Sequence, residues 1–187
     1  LEEFKMKKAA IFLADGFEEV EAFTQADLLR RAGISVYMVT IKNEKIVKGA
    51  HGIKTEADMV FNNSFLERMD ALILPGGPGT SNLESHSELK KLILEFDSER
   101  KIIAAICAAP MILGKLGILK NKKACCYPGY EKYLEGSIVE NGKVSHDGHI
   151  ITSRGVGTAV YFALEIIKAL TDDKTAAKVK ESIVCFD

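Results

Sequence analysis

Lys101-Ile-Ile-Ala-Ala-Ile-Cys-Ala-Ala-Pro-Met-Ile-Leu-Gly-Lys-Leu116 reads as a strand that turns straight into a helix. Lys101 to Ile106 is a short, nearly continuous apolar run, the pattern of a strand buried on both faces. Pro110 suits an early helical position because its missing N–H is not needed there, and Gly117 follows the run as a C-terminal stop. Ala109 to Leu116 is therefore a helix, and Cys107 sits at the turn between the two elements.

The same alternation extends on both sides. Lys8 to Ala14 is a buried strand ended by Asp15-Gly16, and Glu19 to Ala32 is a helix stopped at Gly33. Ser35 to Thr40 is the next strand, and one strand-helix-strand unit of this kind predicts parallel pairing with a right-handed crossover. Asp70 to Pro75 is another strand, leading into the turn Gly76-Gly-Pro-Gly79. Ser87 to Ser98 is a helix with Leu89, Leu92, Ile93 and Phe96 on one face. Residues 41 to 63 read as a hairpin or a pair of edge strands, punctuated by Asn43-Glu44 and His51-Gly52. Lys123 to Tyr127 is a short strand and Gly129 to Leu134 a turn with a short helix. Ile138 to Glu140 and Lys143 to Ser145 suit a β-hairpin around Asn141-Gly142. His149 to Ser153 is the last buried strand, and helices over Thr158 to Leu170 and Asp172 to Ile183 finish the chain. Without repeats or linkers, residues 1–187 read as a single α/β domain, a doubly wound sandwich with a mainly parallel sheet and helices on both faces.

Composition narrows the function classes. The 187 residues are 47% hydrophobic and 27% charged, as expected of a soluble globular chain. Lys and Arg total 25 against 26 Asp and Glu, a net charge of -1 that argues against a nucleic-acid partner. The cluster of Lys120, Lys122 and Lys123 reads as a solvated turn. No apolar run approaches the ~18–20 residues that span a bilayer, so no membrane role is expected. Leu1 to Lys8 is charged and lacks the apolar core of a signal peptide, and its first positions read as a tag remnant or trimmed terminus. The expected location is cytoplasmic. Cys107, Cys125, Cys126 and Cys185 show no CxxC pairing and should be free; Cys125 and Cys126 read as small buried residues and Cys185 as filler.

In an open parallel sheet, ligands bind where loops converge beyond the carboxyl ends of the strands. Three such loops carry chemistry. A helix N-terminus near Cys107 would lower its thiol pKa and make it a nucleophile; the plain alternative is a small residue in a packed turn. The glycines at 76, 77 and 79 would let backbone N–H groups approach an oxyanion, or serve only as a turn; no Gly-Lys-Ser/Thr follows, which excludes a P-loop. Glu18, Glu19 and Glu21 suit the first turn of a helix for dipole reasons, and at most one or two of them can face a pocket. His51, His86, His146 and His149 show no convincing metal-ligand spacing, and His146-Asp-Gly-His149 reads as a turn.

Five stretches, Gly16-Phe-Glu-Glu-Val-Glu21, Leu28-Leu-Arg-Arg-Ala-Gly33, Leu74-Pro-Gly-Gly77, Ala104-Ala-Ile-Cys-Ala-Ala-Pro110 and Thr152-Ser-Arg-Gly-Val-Gly-Thr158, resemble the ThiJ/PfpI superfamily in family order. Within it they resemble the branch of the Parkinson-linked protein deglycase. The resemblance implies a flavodoxin-like, class I glutamine-amidotransferase-like sandwich, usually dimeric, with an easily oxidised nucleophile-elbow cysteine. That cysteine maps to Cys107, its carboxyl partner to Glu21, and the backbone donors to Gly76, Gly77 and Ala108. Arg31, Ser153 and Arg154 match residues around the site or near the dimer surface. Peptidase-like members have a histidine directly after the cysteine, where this chain has Ala108, and the human deglycase type has a histidine before a proline, where this chain has Tyr127-Pro128. A Cys–His hydrolase pair is thus unsupported, and Tyr127 is left as a pocket residue. The function implied is glyoxalase- or deglycase-like action on reactive dicarbonyls or glycated groups, without cofactor or metal. The alternative is an oxidative-stress sensor acting through Cys107; a cysteine peptidase and a thiazole monophosphate (thiamine) biosynthesis role rank below both.

Overall fold

The computed structural model describes residues 6–185, so the reading of the first few positions lies outside the described residues. Strand β1 (Lys8–Leu13) leads through helix α1 (Glu19–Arg31) to β2 (Ser35–Thr40). Three short strands follow, β3 (Ile46–Lys48), β4 (Lys54–Glu56) and β5 (Met59–Val60), then the short helix α2 (Asn63–Leu66). Next come β6 (Ala71–Leu74), α3 (Thr80–Ser85), α4 (Ser87–Ser98), β7 (Ile102–Ile106) and α5 (Pro110–Lys115). The remainder is β8 (Lys123–Ala124), β9 (Ile138–Val139), β10 (Val144–Asp147), β11 (Ile150–Ser153), α6 (Ala159–Leu170) and α7 (Asp173–Ser182), with single 3-10 turns at Glu131–Tyr133 and Val156–Thr158.

Seven strands form one sheet in the order β10-β11-β7-β6-β1-β2-β5. Every pairing in it is parallel except that of β10 with β11. Side chains alternate across the sheet, so β1 feeds two cores. Ala9, Ile11 and Leu13 pack with Leu29 of α1 and with Phe162 and Ile166 of α6. Ala10 and Phe12 pack on the other face with Leu89, Leu92, Ile93 and Phe96 of α4 and with Ile112 and Leu113 of α5. Each of the Leu, Ile and Phe side chains among them, fully withdrawn from water, contributes roughly 1.5–3 kcal/mol. The doubly wound α/β sandwich is thus as expected. Among the described residues no helix is long and apolar enough to cross a membrane.

Helix boundaries follow local chemistry. Gly33, at φ +79°, ends α1 in the left-handed conformation that glycine adopts without penalty. The His86 ring accepts a hydrogen bond from the Leu89 N–H at 3.1 Å and caps α4. The Asp172 carboxylate does the same for α7 through the Thr175 N–H.

Two expectations are corrected. Ile138 to Ser145 is not a hairpin: β9 runs parallel to β8, and β10 pairs antiparallel with β11 around Gly148 (φ +66°). The buried strand β11 offers β10 a full ladder at the sheet edge, whereas Ile138 and Val139 are exposed and have no buried face to set their register. Residues 41 to 63 do contain a hairpin, β3–β4, but β5 leaves it to join β2 in the main sheet. Helix α3 has no counterpart in the sequence reading, because only Thr80 and Leu83 of its six residues are buried and no apolar period announces it.

Candidate active site

At the end of β7 the chain reverses into α5 within three residues. Cys107 makes that reversal at φ +66°, a region a non-glycine residue rarely occupies. Such strain costs on the order of 1–3 kcal/mol and persists only where neighbours over-determine it. Here both backbone groups of Cys107 are held: its N–H donates to the Ser153 carbonyl at 3.0 Å, and its carbonyl accepts from the Tyr127 N–H at 2.8 Å. β11 and the segment after β8 thus aim the thiol past the carboxyl ends of the strands, while Ala108 and Ala109 keep the turn thin.

Glu21, on the first turn of α1, comes in from beneath and is completely buried. Its Oε2 accepts a hydrogen bond from the Gly76 N–H at 2.8 Å. Gly76 is where three elements meet: a Cβ there would lie 2.6 Å from the Cys107 Cβ, 2.8 Å from Glu21 Oε2 and 3.1 Å from the Ala108 nitrogen. Only glycine lets the acid and the thiol share this space.

The electrostatics differ from those expected of a helix N-terminus. Burial, then the charge and hydrogen bond of Glu21, push the Cys107 thiol up to about 12, against weaker pulls from the Ala108 and Gly77 N–H groups. Burial pushes the Glu21 carboxyl up to about 7, with the Glu18 charge adding to it. A lowered thiol pKa from the helix is therefore corrected: α5 has six residues, and Cys107 lies ahead of it with a buried acid alongside. The two groups instead titrate as a coupled pair: both are protonated below about pH 7, and the first proton lost as pH rises leaves a single negative charge on the pair. When Glu21 holds the proton, its charge no longer opposes the thiolate and its O–H becomes a donor to sulfur. Glu21 Oε1 is buried and has no hydrogen-bond partner, a vacancy easier to tolerate in the neutral acid than in the anion.

The cleft over the thiol has a volume of about 630 Å³, and its wall includes Glu18, Gly77, Tyr127, Arg154, Val156 and Thr158. Of the predicted residues, Gly77 and Ala108 point N–H groups at the sulfur. Gly76 does not serve as an oxyanion donor, since its N–H is spent on Glu21. Ser153 is buried behind the elbow, its hydroxyl bonded to the Lys143 carbonyl (2.8 Å) and to the Thr158 hydroxyl (2.7 Å). Tyr127 and Arg154 line the cleft as expected. Arg31 does not: it pairs with Asp27 at 2.8 Å and borders a different hollow, with Thr24 and Val160, because it sits at the far end of α1 from Glu21. Glu18 was visible only as one acid of three; α1 geometry sends Glu18 to the cleft and Glu21 beneath it, while Glu19 turns to His51. Both Glu19 oxygens bond His51, Oε1 through its backbone N–H at 2.7 Å and Oε2 through its ring Nδ1 at 2.8 Å. Cys125 and Cys126 are buried as expected, with thiols pushed up by burial.

A family model described as DJ-1/PfpI matches residues 7–169. The chain belongs to the DJ-1/PfpI family. Within that family it is 36% identical to the protein dj-1beta of Drosophila melanogaster over 95% of this chain and 97% of that one. The crystal structure of Drosophila DJ-1beta superposes with a TM-score of 0.89 at 32% identity, covering 97% of this chain and all of the other. The DJ-1 homolog B of Arabidopsis thaliana is also 36% identical over 95% of this chain, which spans only 41% of that longer protein. Two further DJ-1/PfpI relatives carry names that state an activity. A glutathione-independent glyoxalase of Caenorhabditis elegans is 33% identical, over 93% of this chain and 95% of its own length. A deglycase of Pyrococcus horikoshii is 30% identical, over 87% and 99% respectively.

Proposed function

We propose that this protein converts reactive dicarbonyls, free or as adducts on glycated groups, through Cys107 and without a cofactor. The observation that carries this reading is a fully buried acid packed against a cysteine at an elbow, with its pKa pushed to about 7. The glyoxalase and deglycase names of two full-length relatives support the same chemistry. For methylglyoxal, the Cys107 thiolate adds to the aldehyde carbon, and the new C–S bond turns the carbonyl oxygen into an alkoxide. Gly77 and Ala108 N–H groups face that oxygen, and the Glu21 proton neutralises it to give a hemithioacetal. The Glu21 carboxylate then removes the hydrogen from the former aldehyde carbon to give an enediol, in which the former ketone oxygen becomes a hydroxyl by taking a proton from Glu21. The hydroxyl on the sulfur-bearing carbon gives its proton back to Glu21 as it becomes the thioester carbonyl, and Glu21 delivers a proton to the neighbouring carbon, leaving a lactyl thioester. Water cleaves the thioester, releasing lactate and the thiol; the sum is methylglyoxal plus water to lactate, with no external oxidant or reductant.

A cytoplasmic location, a single domain over the whole chain and assembly as a homodimer belong to the same proposal. The test is lactate formation from methylglyoxal by metal-stripped protein. Cys107→Ala is expected to abolish it; activity retained in that variant would sink the mechanism.

A further inference from the structure

Glu21 lies beneath the thiol, but the loop leading into its helix is held from outside the cleft. The Gly16 N–H donates to the Lys48 carbonyl at 2.7 Å, and the Ala50 N–H to the Phe17 carbonyl at 2.8 Å. Glu19 then turns away from Glu21 and is buried, with both oxygens taken by one residue. The His51 backbone N–H donates to Oε1 at 2.7 Å, and His51 Nδ1 bonds Oε2 at 2.8 Å. Gly49 is pressed so closely on this carboxylate that any Cβ there would overlap it. His51 Nδ1 also lies 3.7 Å from Oε1 of Glu18, the acid in the cleft wall. The rest of the imidazole faces water, since the side chain is 70% exposed. A neutral ring with its hydrogen on Nδ1 keeps the bond to Glu19, and a protonated ring keeps it as well. Only the charge differs between the two states.

We propose that His51 is a positioning residue for the Cys107–Glu21 pair: it clamps the acid-bearing loop through Glu19 in either protonation state, and offsets the Glu18 carboxylate only when charged. This role rests on the reading of Cys107 and Glu21 as the reacting pair. Among the described residues the charged groups that face His51 are Glu19 and Glu18, and both favour its protonated form. Glu18 in turn makes Glu21 harder to ionise. The sign follows. A protonated His51 counters Glu18, so the pair takes up its single negative charge at lower pH. As pH rises and His51 loses its proton, Glu18 acts unopposed and the pair's titration is displaced upward.

The readout is the rate of Cys107 alkylation by iodoacetamide, a neutral reagent, followed site by site by mass spectrometry between about pH 5 and pH 9 in the full chain. His51→Gln, with no charge at any pH, is expected to raise the midpoint by about half a pH unit. His51→Arg, charged at every pH, should return the midpoint to the wild-type value or below and sharpen it to a single-proton step. A His51→Gln profile superimposed on wild type overturns the proposal, as does His51→Arg moving in the same direction as His51→Gln, the mark of a purely structural role. If Glu21→Gln leaves the profile unmoved, the reacting pair itself is refuted; failure of the His51 variants alone leaves that pair standing.

Discussion

Glu21 is a fully buried carboxyl beside the thiol. A carboxyl with no exposure, one backbone donor and one unpartnered oxygen is stabilised as the neutral acid, hence its rise from 4.5 to about 7. In the unfolded chain the same group titrates near its ordinary value. The folded state therefore binds this proton more tightly, and the stability it contributes is full below about pH 4.5 and is lost as pH rises through about 7. Glu21→Gln cannot ionise. Relative to wild type it should gain on the order of 1–3 kcal/mol between the acid and the alkaline side of that window. Urea unfolding at the two extremes measures this, and a pH-independent difference would remove the case for a buried proton at Glu21. Residue pattern alone left this acid as one of three glutamates, and only the family resemblance singled out Glu21; the physical reason for that choice is the helix phase and the position of Gly76.

At the scale of elements, the site is a junction of α1, the loop after β6 and the β7–α5 turn, with Gly76 at the crossing. The three obstructing atoms are the Cys107 Cβ, the buried Glu21 Oε2 and the Ala108 backbone nitrogen, none of them the free end of an exposed flexible side chain. Gly76→Ala is expected to cost about 1–3 kcal/mol by overpacking and to depress Cys107 reactivity by separating the thiol from Glu21. Thermal unfolding together with thiol alkylation checks both; an alanine variant with wild-type stability and reactivity would show that the junction has slack. Long elements with strong apolar periodicity, such as α4 over Ser87–Ser98, could be read directly from the chain. Short ones could not. In the β8–β9 region each strand has two residues and β9 is exposed, so partner choice is set by the rest of the sheet and the Asn141-Gly142 signal misleads.

For the whole molecule, one sheet with a core on each face gathers three loops at one end and leaves Arg31 at another. Assembly beyond the chain is the prediction that belongs to this scale. Sedimentation equilibrium is expected to find a species of twice the 20.5 kDa chain mass at micromolar concentration, and a monomer throughout that range would overturn the homodimer.

The long strands and helices, the two-faced core and the place of Cys107 at a strand-to-helix turn were determined by local pattern. Periodicity, glycine stops and a proline at the helix start act over a few residues and need no distant partner. Tertiary structure alone decided how the cysteine is tuned. Its helix was expected to lower the thiol pKa, but burial and a carboxyl 86 positions away in the chain raise it, while the Gly76 amide expected to face substrate is spent on that carboxyl. Desolvation and charge coupling depend on what lies within a few ångströms in space, and spacing along the chain carries no record of that.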